Sequence, residues 1–261
     1  EKISTGTFKI SVLRYAAQDQ SRRIGSLVVN PGGPGASGVD YAYNAEYIFD
    51  PDLTDRYDIV GFDPRGVSRS APITCYNDQE TDANYASDSK PDNAAEFNQA
   101  VKDSKAFIIK CFKKNEHLTA FSTANAARDM DILRELVGDK KLNYMGKSYG
   151  TYLGAVYAGL FPEHVGRLVL DGAIDPTLTS ERLNLGQAVG FERATLAWAE
   201  ACAAEQGCPF PGDATAVMSG LGDLLRELDS KPLTVTGDRS VPAVTEGWAS
   251  YGVAAAMYDQ G

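Results

Sequence analysis

An α/β fold on a largely parallel sheet is what this 261-residue sequence predicts, on three observations. Short, β-branched apolar runs recur through the first two thirds of the chain. Each is followed within two residues by glycine or proline, and long polar or helix-forming stretches separate one run from the next. Such runs read as buried strands, and the long separations read as crossovers, because parallel neighbours cannot be joined by a tight hairpin.

Taken in order, residues 8–14 alternate apolar and polar side chains, as a strand with one solvated face does. Residues 26–29, 57–62, 142–145 and 167–170 supply four buried strands. Between the second and third of these runs, Ala126, Met130, Leu133 and Val137 recur at helical spacing. Ser122 or Thr123 can cap that helix and Gly138 can end it. A second helix is expected over 149–160, where Ala155 and Gly159 would let it lie close to the sheet. Residues 77–96, rich in Asp, Asn, Ser and Ala, read as a surface excursion. Beyond residue 178 the strand rhythm gives way to helical text through Ala204, again over 214–228, and finally over 244–258. The expected organisation is therefore a core over 1–177 and an incomplete helical cap over 178–261.

Composition narrows the partners. Thirty-five acidic against 25 basic side chains leave a formal charge of −10, and no Lys/Arg block is longer than two. That balance argues against nucleic acid or an anionic membrane as partner. No apolar run approaches the roughly 18 residues needed to span a bilayer. The chain opens at Glu1 without a start methionine or signal-like segment and stops at Gly261 without tail-like character, so both ends read as interior to a longer polypeptide. Cys202 and Cys208 are near enough to clip a short loop, and Cys75 with Cys111 could bridge the two ends of the polar excursion. Three connectivities are open. Bridged cysteines would place the protein outside the cytoplasm. With two histidines and no close Cys/His cluster, neither a metal site nor a cofactor is expected.

The chemistry concentrates at Gly146-Lys147-Ser148-Tyr149-Gly150, a G-x-S-x-G sequence between a predicted strand and a predicted helix. A sharp strand-to-helix turn crowds the backbone, so small residues two before and two after the serine let it close and leave the Ser148 hydroxyl free at the carboxyl end of the sheet. Gly-Lys-Ser also suggests a phosphate loop, but that motif needs glycine at 141, where Lys141 stands. The Tyr149 amide is positioned as one oxyanion donor. Asn30-Pro31-Gly32-Gly33-Pro34-Gly35, after the 26–29 strand, should present the second, with Gly33 preferred over Gly32. Arg65, in the loop after the 57–62 strand, is read as a brace paired with a carboxylate.

A serine hydroxyl needs a base. His164 lies in the turn between the nucleophile helix and the next strand, at the opposite sheet edge from Ser148, and His117 is on the entry side of its crossover. In the chain order nucleophile, acid, histidine, the histidine comes late, and none follows His164. The base is therefore expected outside these 261 residues. Asp171 is one strand early for the acid, so Asp171 and Asp175 are expected to shape loops, and the acid too is sought beyond Gly261.

Four segments carry a resemblance: Gly25-Ser-Leu-Val-Val-Asn-Pro-Gly-Gly-Pro-Gly-Ala-Ser-Gly38; Tyr57-Asp-Ile-Val-Gly-Phe-Asp-Pro-Arg-Gly-Val-Ser-Arg-Ser70; Tyr144-Met-Gly-Lys-Ser-Tyr-Gly-Thr-Tyr-Leu-Gly154; and Phe161-Pro-Glu-His-Val-Gly-Arg-Leu-Val-Leu-Asp-Gly-Ala-Ile-Asp-Pro176. Together they resemble the secreted tripeptidyl-aminopeptidase and prolyl-aminopeptidase-like serine peptidases of the α/β-hydrolase superfamily. The resemblance implies an α/β-hydrolase fold lacking its C-terminal part, with cofactor-free attack by Ser148 on a peptide bond near a free N-terminus. It also implies an oxyanion hole from the Gly33 and Tyr149 amides, and a C-terminal fragment or second chain carrying the acid and histidine. Glu192, Glu200 and Glu205 are candidates for pairing with a substrate ammonium group. An esterase or amidase on the same scaffold, and a catalytically inactive binding module, are the competing readings.

Overall fold

The computed structural model describes residues 7–237 and 243–258; expectations for the chain's extreme ends and for residues 238–242 lie outside them. In chain order the elements are β1 (Val12–Tyr15), β2 (Gly25–Asn30), α1 (Gly38–Tyr43), α2 (Ala45–Ile48), α3 (Pro51–Arg56), β3 (Tyr57–Phe62), α4 (Asp78–Tyr85) and α5 (Ala94–Lys114). Then come α6 (Thr123–Leu136), β4 (Leu142–Lys147), α7 (Tyr149–Leu160), β5 (Val165–Asp171), α8 (Ser180–Ala204), α9 (Ala214–Ser230), β6 (Leu233–Thr234), β7 (Ala243–Val244) and α10 (Glu246–Ala256). They form two compact units. The first runs up to Thr74 and resumes over Lys114–Thr177; the second takes Cys75–Lys113 and the chain from Leu178 onward. Residues 75–113, which the sequence reading leaves with the core, thus group with the later helices.

The first unit is a five-stranded sheet in the order β1-β3-β2-β4-β5. Only β1 is antiparallel; β3, β2, β4 and β5 run parallel, joined by crossovers as the long separations required. All six residues of β2 are buried. Its side chains alternate between two cores: Val28 joins Val60, Met130, Tyr144 and Leu153 beneath α6 and α7, while Leu27 and Val29 join Ile59, Ala42 and Phe49 beneath α1–α3. Burying each such aliphatic side chain contributes about 2 kcal/mol, so the doubly covered strands anchor the unit.

Strand β1 begins later than the alternation of residues 8–14 suggests. Ser11 is held by the loop after β3 instead: its amide donates to Ser70 Oγ (2.9 Å), its hydroxyl to the Arg69 carbonyl (3.2 Å), and its carbonyl accepts the Asp63 amide (3.0 Å). Helix α6 spans the predicted stretch, and Ser122 rather than Thr123 is its cap, accepting the Asn125 amide at 3.2 Å. Close packing of α7 falls on Gly154, where a Cβ would sit 2.7 Å from the Tyr144 ring; Gly159 faces open space and is exposed, so the expectation placed on Gly159 is corrected.

In the second unit, the polar text over 77–96 is exposed but ordered. Asn77 and Glu80 form a capping box at the start of α4, and Asn93 caps α5 through the Ala95 and Glu96 amides. Two disulfides close, Cys75–Cys111 and Cys202–Cys208, selecting one of the three connectivities. Buried Glu246, at the start of α10, accepts bonds from the Ser89 amide (3.1 Å), the Ser89 hydroxyl (2.8 Å) and the Ser250 hydroxyl (2.8 Å), so its charge is satisfied away from water. No helix among the described residues is long and apolar enough to cross a membrane.

Candidate active site

Ser148 occupies the turn from β4 to α7 with φ 50° and ψ −121°, a conformation that non-glycine residues adopt only when the surroundings enforce it. The neighbouring glycines show the enforcement. A Cβ on Gly146 would strike the Gly150 carbonyl, and one on Gly150 would lie 2.7 Å from the Asn30 carbonyl, so the small flanking residues of G-x-S-x-G are a packing requirement. Hydrogen bonds lock the turn: the Ser148 amide donates to the Asp171 carbonyl (2.9 Å), and the Ser148 carbonyl accepts the Thr151 hydroxyl (2.7 Å). Thr151 Oγ1 in turn receives the Ile174 amide (2.9 Å), tying the loop after β5 to the elbow. Ser148 itself is exposed, and its hydroxyl does not cap α7.

The glycine loop after β2 lies against this elbow. Gly32 has φ +96°, and a Cβ there would approach Ser148 Cβ to 3.1 Å and the Tyr149 nitrogen to 3.2 Å. Its own amide is spent on the buried Asn30 side chain, Oδ1 at 3.0 Å. By contrast, neither the Gly33 nor the Tyr149 amide donates a hydrogen bond within the described residues. The Tyr149 amide opens α7 directly after Ser148, and a helix N-terminus favours developing negative charge.

Asp63, which the sequence reading passed over, sets the loop positions. Fully buried after β3, it accepts the Ser37 hydroxyl (2.6 Å), the Val39 amide (3.2 Å) and the Arg69 amide (3.1 Å). Burial works to raise its pKa, but these bonds and nearby Arg69 outweigh it and hold the carboxyl below its ordinary value. The signal available in sequence was its place directly after a buried strand, level with the glycine loop. Arg65 is the brace expected of it: Nε and Nη2 grip both Asp129 oxygens (2.8 and 2.6 Å), Nη1 donates to the Ala120 carbonyl (3.1 Å), and its guanidinium lies over the Phe8 ring. Beside the elbow opens a cleft of about 670 Å³. Tyr149 walls it, with its phenol sharing a 2.7 Å hydrogen bond with Thr123; burial raises the pKa of that phenol, which stays neutral.

Neither histidine hydrogen-bonds to Ser148 among the described residues. His164 lies before β5, its Nδ1 2.7 Å from Asp131 Oδ1 and its ring stacked on Phe161. His117, at φ 60°, is exposed beside Glu116. Asp171 contributes its carbonyl to the elbow, and Asp175 caps its own turn through the Thr177 amide and hydroxyl. Glu192, Glu200 and Glu205 are exposed on or just after α8. Among the described residues no cluster of three or more His, Cys, Asp or Glu is arranged to hold a metal.

The sequence profile of the alpha/beta hydrolase fold matches residues 25–251. Among curated proteins, the chain is 41% identical over 203 residues to a tripeptidyl aminopeptidase of Streptomyces lividans, covering 76% of this chain and 38% of that protein. It is 37% identical over 227 residues to serine protease Hip1 of Mycobacterium tuberculosis, covering 85% and 43%. To carboxylesterase B of the same species it is 38% identical over 229 residues, covering 86% and 44%. The chain thus spans about two fifths of the length of these relatives, with shares of 38%, 43% and 44%.

Proposed function

The chain belongs to the α/β-hydrolase fold family, and from that premise we propose that it carries the nucleophile half of a serine peptidase acting on peptides with an unblocked N-terminus. The products are short N-terminal peptides, tripeptides foremost, or single N-terminal residues. Relatives named tripeptidyl aminopeptidase and serine protease support this reading. The observation that carries it is Ser148, exposed on a strained elbow next to the unspent Tyr149 amide with Gly32 of the glycine loop packed against it.

In this mechanism Ser148 Oγ attacks the peptide carbonyl as a base takes its proton. The oxyanion accepts bonds from the Tyr149 and Gly33 amides, each such donor lowering the barrier by about 3 kcal/mol. Collapse expels the downstream peptide as its nitrogen is protonated, and water then hydrolyses the acyl-enzyme. The Ser148 amide, bonded to Asp171, takes no part. The base and acid belong to polypeptide outside these 261 residues, following it in the same chain or in a separate fragment; the placement of His164 and His117 supports this. An ammonium partner among Glu192, Glu200 and Glu205 would set register. Two disulfides and bacterial relatives favour a secreted or envelope-associated protein.

Carboxylesterase B, matched over a similar span, favours an esterase or amidase as the second reading. A fluorophosphonate followed by intact-mass measurement of every polypeptide in native material tests the nucleophile: one adduct, mapped to Ser148, is expected, and its absence removes the reading. Comparing an unblocked peptide with its N-acetylated counterpart then separates the two activities. Equal turnover of both would favour the second.

A further inference from the structure

Helix α5, in the second unit, runs for 21 residues without burying one. It is anchored along one side: Cys111 is bridged to Cys75, Phe107 meets the Tyr76 ring edge-on at 4.9 Å, and Lys110 pairs with Glu80. Phe97, Val101, Ile108, Ile109 and Phe112 recur on the other side, within about 120° of arc. Phe97, Ile108, Ile109 and Phe112 are 53–64% exposed. Large apolar side chains lying together in water mark a face that is covered in the working molecule.

Charge indicates what covers it. Five lysines against two carboxylates make α5 basic in a chain of net charge −10. Glu96 and Asp103 lie on the anchored side, accepting the Asp92 amide and the Gln99 side chain. Lys105 sits within the apolar stripe and Lys102 and Lys113 along its edge, none of them paired with a carboxylate among the described residues. Lys105 is at mid-helix, so a second copy packed about a two-fold axis would set it against its own counterpart. An anionic lipid surface would repel the acidic chain as a whole. A cover of matching chemistry is an apolar stripe edged by Asp or Glu. The stretches matched in the relatives are 38–44% of their length, so their chains hold further polypeptide that could supply it. We propose that the Phe97–Phe112 stripe is the docking face for an acid-edged amphipathic helix from polypeptide outside these 261 residues. This shares with the proposed mechanism only the premise of a longer polypeptide, and it is independent of Ser148.

The test is labelling of native material, with every polypeptide it contains, by a photolysed diazirine before and after unfolding in urea. Phe97, Ile108, Ile109 and Phe112 should label at least about tenfold less in the folded state. Left uncovered, they would label at about half the unfolded level, in line with their exposure, and that result sinks the proposal. A carbodiimide should then join Lys102, Lys105 or Lys113 to Asp or Glu of polypeptide outside the 261 residues. Cross-links confined to a second copy of this sequence, protection without any cross-link, or protection that appears only with phosphatidylglycerol vesicles overturns it. Lys102→Glu, Lys105→Glu and Lys113→Glu together, introduced into the longer polypeptide, should raise labelling of the stripe about fivefold, while three Arg replacements keep it low. Labelling that stays low in the Glu variant removes the acidic partner. Fluorophosphonate reads the nucleophile separately: a protected stripe without an adduct retires Ser148 alone, and an adduct with a labelled stripe retires the docking face alone.

Discussion

Two edges of one sheet carry the groups most readily taken for catalytic, and they differ in kind. At the carboxyl end, Ser148 is exposed, strained and next to the unspent Tyr149 amide. At the amino end, His164 and Asp131 form a 2.7 Å pair that resembles two thirds of a triad. Because β4 and β5 run parallel, a strand of six residues separates the two ends by about 20 Å. The histidine pair is a clasp between α6 and the turn before β5: Asp131 Oδ1 also accepts Arg134 Nε (2.8 Å) and the Tyr157 hydroxyl (3.0 Å). A short His–Asp contact therefore says little about chemistry until sheet polarity places it.

The comparison can be broken from either edge. The largest effect is expected for Ser148→Ala, which should remove the fluorophosphonate adduct completely; an adduct persisting elsewhere on the chain would move the nucleophile. Next comes Arg65→Ala, which leaves largely buried Asp129 unpaired and should cost about 3 kcal/mol in urea unfolding. Arg65→Lys should recover little of it, because one ammonium cannot grip both carboxylate oxygens and a carbonyl together.

Asp131 offers a pH-dependent test. Partial burial would raise its carboxyl, but hydrogen bonds from Arg134, His164 and Tyr157 prevail and hold it at about 2. A carboxyl depressed on folding stabilises above its ordinary value of 3.8 and loses that contribution as pH falls through about 2. Asp131→Asn should therefore cost on the order of 2 kcal/mol at pH 6, with the deficit in urea midpoint narrowing between pH 4 and 2. A deficit independent of pH would mean that packing, not charge, holds the clasp. The smallest effect is expected for His164→Gln, about 1 kcal/mol of stability with no change in Ser148 labelling. Loss of labelling at unchanged stability would connect the two edges after all.

Much of this was legible in order along the chain. Four strands announced themselves because short apolar runs ended at glycine or proline, although only β2 and β3 are buried nearly throughout and β5, expected buried, has no buried residue, and the elbow did so because its glycines flank Ser148 between a strand and a helix. Helix α5 escaped notice for an equally physical reason. Its apolar residues Phe97, Val101, Ile108 and Phe112 do recur at helical spacing, but its start lies in the polar text of the 77–96 excursion, which masks the boundary. The short helices α1–α3 were missed because pieces of four to six residues carry too little periodicity to register.

By itself the sequence determined the strands, the crossovers, the elbow at Ser148 and the lack of any histidine after His164, since each depends on residues within a few positions of one another or on simple order. Tertiary structure alone decided that Asn30 consumes the Gly32 amide and leaves that of Gly33, that Asp129 is the carboxylate Arg65 grips, that Cys75 pairs with Cys111, and that His164 serves a clasp. Those choices join residues brought together by strand register and helix packing, and free energy at such contacts depends on distance and burial, which spacing along the chain does not encode.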